Sequence, residues 1–172
     1  MREIQLSEHI EIDRPAAEVW AVVADYRRDP EWRTGVVTMA PEPADLVAVG
    51  TTTAEELRMA GRTWHNDGVV TAVEPGVRFA WRTTEGADAS GSREVEGLGR
   101  HRCRVRLTMV VRPHGPERLL RPVLARMLRA NLRGDLERLR TLVTVAEPSP
   151  ADPAGPRPRS DHRCDALRAA GS

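Results

Sequence analysis

The stretch Arg118–Ala146 reads RLLRPVLARMLRANLRGDLERLRTLVTVA, and the rest of the chain must be arranged around it. Apolar side chains recur along it every three or four residues, at Leu120, Leu124, Leu128, Leu132, Leu136, Leu139 and Val143. This spacing predicts a helix with one apolar stripe and arginines on its other side. The segments before it have the pattern of strands, so we expect this helix to lie across the concave face of a sheet and close a core or a cavity.

Pro122 falls inside the apolar stripe, where it has no N–H to donate and crowds the preceding turn. It therefore predicts a kink near this position, or a short helical piece before Pro122 and the main helix after it.

The preceding segments alternate between apolar and polar residues with a period of two, which is typical of strands with one buried face. The clearest is His101–Val111, whose odd-numbered residues from Cys103 onward are apolar while three even-numbered ones are arginines. Because the arginines fall on the opposite face, they indicate a solvated outer surface. Further strands are predicted at Glu3–Ile12, Val36–Ala40, Thr51–Ala60, Arg62–Val73, Val77–Thr83 and Arg93–Leu98.

Glycines and prolines indicate where these segments are interrupted. Gly68 predicts a bulge, which leaves the direction of Trp64 and His65 undecided. Pro41–Asp45 and Glu85–Ser92 are predicted to be loops. Between the first two strands, prolines at the start of two short apolar segments predict one helix running to about Asp25 and another near Asp29–Trp32.

Length and composition restrict the class of protein. The 172 residues predict one domain over residues 1–146 and a disordered Pro/Arg-rich tail over residues 147–172. A net charge of +1 favours neither nucleic acid nor an anionic membrane as a partner. Two cysteines fit a reducing compartment, and no segment is apolar for long enough to span a bilayer, so we expect a cytoplasmic protein without integral membrane association.

Three segments resemble one known family. They are IEIDRPAAEVWAVVADYRRDPEW at Ile10–Trp32, VVTAVEPGVRFAWR at Val69–Arg82 and LERLRTLV at Leu136–Val143. Together with the order of strands and helices, they resemble the START-like (SRPBCC) superfamily in its polyketide cyclase/dehydrase branch, over about residues 3 to 146. The resemblance implies an α+β helix-grip fold, in which a curved antiparallel sheet of about six to seven strands wraps around a long C-terminal helix. It also implies two short helices after the first strand and a cavity between the sheet and the long helix.

Strand and helix periodicity predict which side chains face this cavity. Most are apolar, as expected for a small-molecule site with few polar groups. The candidate ligand-binding residues are Trp32, Leu57, Met59, Trp64, Phe79, Trp81, Cys103, Val105, Leu107, Met109, Leu124, Leu128 and Asn131. Each of them is also consistent with simple core packing.

Polar residues on otherwise apolar faces are the candidates for chemistry. Glu55, His101 and Asp135 are candidate catalytic bases, and Asn131, Trp64 and Arg58 are candidate hydrogen-bond donors. No spacing of His and Cys indicates a metal site, and no motif indicates a cofactor.

Three functions remain compatible with the sequence. The first is binding of a small hydrophobic, lipid-like or polyketide-like molecule in the cavity. The second is a polyketide cyclase, aromatase or dehydrase that uses polar cavity residues as acid and base. The third is a protein-interaction module that uses the arginine-rich face or the tail.

Overall fold

One antiparallel sheet and a long helix make up most of the structure, a computed structural model that describes residues 3–59, 61–115 and 120–145. The elements in these ranges are β1 (Ile4–Ile12), α1 (Ala16–Val23), α2 (Asp29–Trp32), β2 (Val36–Glu42), β3 (Thr52–Met59), β4 (Arg62–Glu74), β5 (Arg78–Glu85), β6 (Ala89–Gly99), β7 (Arg102–Val111) and α3 (Arg121–Val145). A short 3₁₀ turn at Tyr26–Arg28 joins α1 to α2.

The seven strands lie in the order β1-β7-β6-β5-β4-β3-β2, and every neighbouring pair is antiparallel. The first strand pairs with the last, with Ile10 opposite Val105 and Ile12 opposite Cys103. Their side chains join the buried face against which α3 packs. The predicted helix-grip fold is therefore confirmed, with its curved sheet, its long C-terminal helix and its two short helices after the first strand.

Strand β6 corrects the prediction of a loop at Glu85–Ser92, because the strand already begins at Ala89. The misleading residue is Gly91. A Cβ atom there would lie 2.2 Å from the backbone oxygen of Thr108 and 2.9 Å from Cζ2 of Trp81. The glycine thus allows a close approach of the neighbouring strands rather than ending one of them. The loop predicted at Pro41–Asp45 also starts too early, since β2 continues to Glu42.

The bulge predicted at Gly68 is confirmed by a shift in the β4–β5 register between Asp67 and Gly68. A second shift follows between Val70 and Ala72. On the N-terminal side of the bulge, Trp64 lies partly buried on the inner face, whereas His65 is exposed. The structure thereby decides an orientation that the sequence pattern left open.

Helix α3 begins at Arg121, so Pro122 lies in its first turn, where the N–H would have no intrahelical acceptor. The prediction of a kink near Pro122, or of a short helical piece before it, depends largely on residues 116–119, which lie outside the described residues. In the C-terminal half of the helix, the buried side chains are Leu132, Asp135, Leu136, Leu139 and Val143.

Arginine contacts hold one flank of α3 along β1. The Glu8 carboxylate lies 3.4 Å from Nε of Arg129 and 2.9 Å from Nε of Arg133. Near the start of α3, Arg121 donates to the backbone oxygen of Glu3 over 3.1 Å, and near its end Arg14 donates to that of Thr144 over 2.9 Å. These contacts fix the helix at both ends against the edge strand.

The arginines of β7 lie on the outer face of the sheet, as predicted. Their partners are acidic residues of the adjacent strands, with Arg104 against Glu11 and Glu96, and Arg106 against Glu94. Such partly exposed pairs form a neutralised, solvated surface. The predicted tail over residues 147–172 lies outside the described residues. Within the described helices, none has the length and apolar character needed to span a bilayer.

Candidate functional site

A cavity of about 380 Å³ lies between the inner face of the sheet and the N-terminal half of α3. Its wall comes mainly from β3, β4, β5, β7 and α3, with Ala89 of β6 and Arg33 and Thr34 after α2, and is mostly apolar. Eight of the residues predicted to face a ligand line it: Leu57, Met59, Trp64, Trp81, Met109, Leu124, Leu128 and Asn131. Residues up to 74 positions apart in sequence, Leu57 and Asn131, are thus brought around one space by the wrapping of the sheet.

The cavity opens where α3 begins. Leu120 and Val123 line it, although their side chains are 63% and 68% exposed. Farther along the helix, Nδ2 of Asn131 lies 3.8 Å from Sδ of Met59 and bridges α3 to the end of β3. The entrance is therefore rimmed by apolar side chains that water reaches.

A smaller cavity of about 80 Å³ adjoins the first, with Trp32 and Leu107 in its wall. The two cavities share lining residues: Arg33, Glu55, Asn66, Trp81, Thr83, Met109, Leu132 and Asp135. We call these the shared wall. Tyr26 also lines the smaller cavity, and burial raises the pKa of its hydroxyl to about 12, so it stays neutral at ordinary pH.

Phe79, Cys103 and Val105 do not line either cavity, contrary to the expectation from their strand faces. They are fully buried in the core, where α1 packs on β6 and β7. The ring of Phe79 meets Trp20 and Tyr26 edge-on, with centroids 6.2 Å and 5.6 Å away. Strand periodicity assigned the correct face, but it carries no information on how far along the strand the cavity extends.

Two polar candidates lie away from both cavities. His101 is exposed in the turn between β6 and β7, because β7 begins one residue later than predicted. The Arg58 side chain is 71% exposed and points outward, since its position alternates with the inward-facing Leu57 and Met59. Neither residue is placed to contact a molecule in the cavity.

Glu55 lies in the shared wall and is bound on both carboxylate oxygens. Its Oε1 accepts a hydrogen bond from Nη1 of Arg33 over 2.7 Å, and its Oε2 accepts one from Nδ2 of Asn66 over 2.9 Å. The Asn66 side-chain oxygen accepts in turn from the backbone N–H of Ala87. This arrangement holds Glu55 in one orientation beneath the cavity.

Behind Glu55 lies a buried ion cluster that sequence reasoning missed. The Asp29 carboxylate, which is fully buried, accepts from both terminal nitrogens of Arg93 over 2.7 and 2.6 Å. It also accepts from Nη1 of Arg33 over 3.0 Å. The Arg93 guanidinium lies 5.0 Å from the centroid of the Trp32 ring, which adds a cation–π contact. The available signal was that Arg93 lies two residues before Val95 on β6 and therefore shares the face of that buried residue.

Asp135 is the buried acid of α3, with only 6% of its surface exposed, and it lies in the shared wall. Its Oδ1 accepts a hydrogen bond of 2.6 Å from the backbone N–H of Thr34. Burial raises the pKa of this carboxyl above its usual value. Because the pKa is raised in the folded state, ionisation of Asp135 opposes folding. The folded state is therefore more stable while the carboxyl is protonated, and it loses that stability as the pH rises through the raised pKa. A buried acid with a raised pKa in a cavity wall is a candidate for a functional residue.

The geometry agrees with the comparison to known families. A family model described as polyketide cyclase / dehydrase and lipid transport matches residues 3–144. The chain belongs to this family. Members of the polyketide cyclase / dehydrase and lipid transport family thus share the sequence pattern of almost the whole described domain, including both sides of the cavity.

Solved structures show the same fold at low sequence identity. The Zhui aromatase/cyclase from Streptomyces sp. R1128 is 16% identical, with a TM-score of 0.71 over 83% of this chain and 94% of that one. A START superfamily protein from Mycobacterium smegmatis is 12% identical, with a TM-score of 0.67 over 82% of this chain and 97% of that one. The di-domain ARO/CYC BexL from the BE-7585A biosynthetic pathway is 22% identical, with a TM-score of 0.67 over 86% of this chain and 48% of that one. No curated protein matches significantly.

Proposed function

We propose that the protein binds a small hydrophobic molecule, lipid-like or polyketide-like, in the cavity between the sheet and α3. The observation that carries this proposal is the 380 Å³ space itself, which lies next to the core without being filled by side chains. Protein interiors are otherwise packed closely, and apolar cavities of this size are typical of ligand sites. The apolar rim at Leu120 and Val123 provides a route of entry for such a molecule.

An unpaired donor in the cavity wall also supports a ligand that carries oxygen atoms. The indole N–H of Trp64 is buried and has no hydrogen-bond partner among the described residues. Leaving a buried donor unsatisfied costs about 1–3 kcal/mol. A carbonyl or hydroxyl oxygen on the bound molecule would remove that cost.

Filling the cavity with a larger side chain tests the proposal. Leu128→Trp places an indole in the space beside Leu124, so the affinity for a fluorescent apolar probe is expected to fall by about tenfold or more. The measurement is a fluorescence titration of the purified protein, accompanied by native mass spectrometry for a molecule copurified from the host.

The matched control is Leu46→Trp, the same substitution at a half-exposed leucine that does not line either cavity. It is expected to leave probe affinity within about threefold of the parent. Equal probe affinity in Leu128→Trp, Leu46→Trp and the parent would show that the cavity is not the binding site.

A second candidate function is cyclisation or dehydration of a polyketide-like substrate in the same cavity. Asp135 supports it, because a buried carboxyl whose pKa is raised above its usual value is a stronger base for a proton alpha to a ketone. The carboxylate would take that proton, and the N–H groups of Arg33 or Asn131 would stabilise the resulting enolate oxygen. The names of the family and of its aromatase/cyclase neighbours agree with this chemistry.

For this second function, Asp135→Asn is expected to lower turnover of a poly-β-ketone substrate by about 100-fold or more, since it removes the base. Probe affinity should stay within about threefold, because asparagine has the same shape. The measurement is product formation by mass spectrometry with the same preparation used for probe titration. Full turnover in Asp135→Asn would exclude this residue as the base.

A further inference from the structure

The charges around the shared wall restrict the chemistry of the ligand's inner end. Three carboxyl groups and two guanidinium groups are buried or largely buried there or directly behind it: Asp29, Glu55, Asp135, Arg33 and Arg93. Asp67 and Arg82 also line the smaller cavity, but they are exposed and opposite in sign. The buried set therefore carries one negative charge in excess when every member is ionised.

The hydrogen bonds show which of these carboxyl groups is not bound by a guanidinium group. Arg93 is bound to Asp29 through two nitrogens, and Arg33 is shared between Asp29 and Glu55. Both guanidinium charges are thereby matched by two carboxylates. The Asp135 carboxyl is hydrogen-bonded by Thr34, whose backbone N–H lies 2.6 Å from Oδ1, and no guanidinium among the described residues donates a hydrogen bond to it. Asp135 is thus the acid of this set that lines both cavities and is not held in an ion pair.

We propose that the ligand's inner end is a hydrogen-bond donor without negative charge, a hydroxyl or an amine, that binds the Asp135 carboxyl. This inference rests on the proposed function of the cavity. A donor head group satisfies the carboxyl whether Asp135 is ionised or protonated. A carboxylate head group would instead place a second uncompensated negative charge in a site with little water, where like charges repel strongly.

Arg33 is the residue that would support the opposite conclusion, because it lies in the shared wall and its guanidinium attracts anions. Its charge is already neutralised by two ion pairs, however, since Nη1 lies 3.0 Å from the Asp29 carboxylate and 2.7 Å from the Glu55 carboxylate. An anionic ligand at Arg33 would therefore meet two carboxylates next to the one cation. Burial by itself lowers the pKa of Arg33, but the Glu55 and Asp29 carboxylates outweigh it and raise that pKa above its usual value, so Arg33 stays charged.

Competition by three twelve-carbon ligands tests the inference. Dodecylamine, dodecanol and dodecanoic acid displace a fluorescent apolar probe from the full chain at pH 8, where the amine and the acid are both charged. The amine and the acid have the same chain length, and each loses the hydration of one charge on binding. The difference between their affinities therefore reports mainly on the sign of the charge in the site. The amine is expected to compete at a concentration at least about tenfold lower than the acid, with the alcohol also better than the acid.

Asp135→Asn is expected to reduce the amine-to-acid ratio to about threefold or less, because it removes the excess charge and keeps the acceptor for Thr34 N–H. It should fold, because asparagine has the shape of aspartate and keeps the acceptor for the Thr34 N–H. Glu137→Gln is the matched control, since it makes the same charge change at an exposed position of α3 and should leave the ratio unchanged. The parent protein's ratio tests the inference even without the variant.

The outcomes separate the inference from the proposed function. A parent protein that binds the acid as well as the amine would overturn the inference and leave Arg33 as an anion anchor, with cavity binding intact. An amine-to-acid ratio that Asp135→Asn does not change would overturn it equally. Failure of the parent to bind the probe or any of the three ligands would overturn the proposed function itself, and the inference with it.

Discussion

Asp29→Asn is expected to lower the free energy of unfolding by about 3–5 kcal/mol, because it leaves a buried positive charge without its partner. Asp29 is fully buried and accepts hydrogen bonds from Arg93 and Arg33. Asparagine keeps the shape but loses the charge and offers one acceptor oxygen in place of two. The loss is measured by urea unfolding of the parent and the variant at pH 7, followed by tryptophan fluorescence.

The control for this variant is Glu94→Gln, which removes a carboxylate from an exposed pair. Glu94 lies 3.5 Å from Arg106, and both side chains are partly in water. Such pairs contribute about 0–1 kcal/mol, so the control should unfold almost as the parent does. A cost for Asp29→Asn no larger than that for Glu94→Gln would mean that the buried cluster is not a determinant of stability.

Phe79→Ala is expected to cost about 3–5 kcal/mol of unfolding free energy while leaving the affinity of the folded protein for an apolar probe within about threefold. Phe79 is almost completely buried and lines neither cavity, and its ring packs against Trp20 and Tyr26. Its removal therefore leaves a void in the core but takes no contact from a ligand. Urea unfolding gives the stability, and probe titration at low temperature gives the affinity.

Leu57→Ala provides the opposite pattern for comparison. Leu57 is only partly buried and lines the larger cavity, so its truncation should cost less stability than Phe79→Ala and should change probe affinity more. If Phe79→Ala weakened probe binding as much as Leu57→Ala did, Phe79 would belong to the ligand site after all.

The spacing of apolar residues predicted the strands and helices well because it is a local property of the chain. The alternation in β7 and the stripe of α3 each place apolar side chains on one face whatever the rest of the molecule does. The errors arose where one residue had a tertiary role. Gly91 suggested a loop, but it allows a close approach of its strand to Thr108 and Trp81.

The candidate site was predicted less completely. Alternation identifies which face of a strand points inward, but it does not show how far along that face the cavity extends. Phe79 and Trp81 share one face of β5 and are two residues apart, yet the first is core and the second lines both cavities. The bulge at Gly68 similarly hid the inward direction of Trp64. No pattern of apolar residues distinguishes a packed face from a face that borders a space.

The sequence by itself determined the family, the order of the strands and helices, and which face of each is apolar, since these depend on residue spacing and on local motifs. Only the tertiary structure decided that Asp29 meets Arg93 across 64 residues and that Asp135 is held by Thr34 rather than by an arginine. The physical reason is that charge pairing depends on distances in space between residues far apart in the chain. Those distances exist only once the sheet has closed around α3.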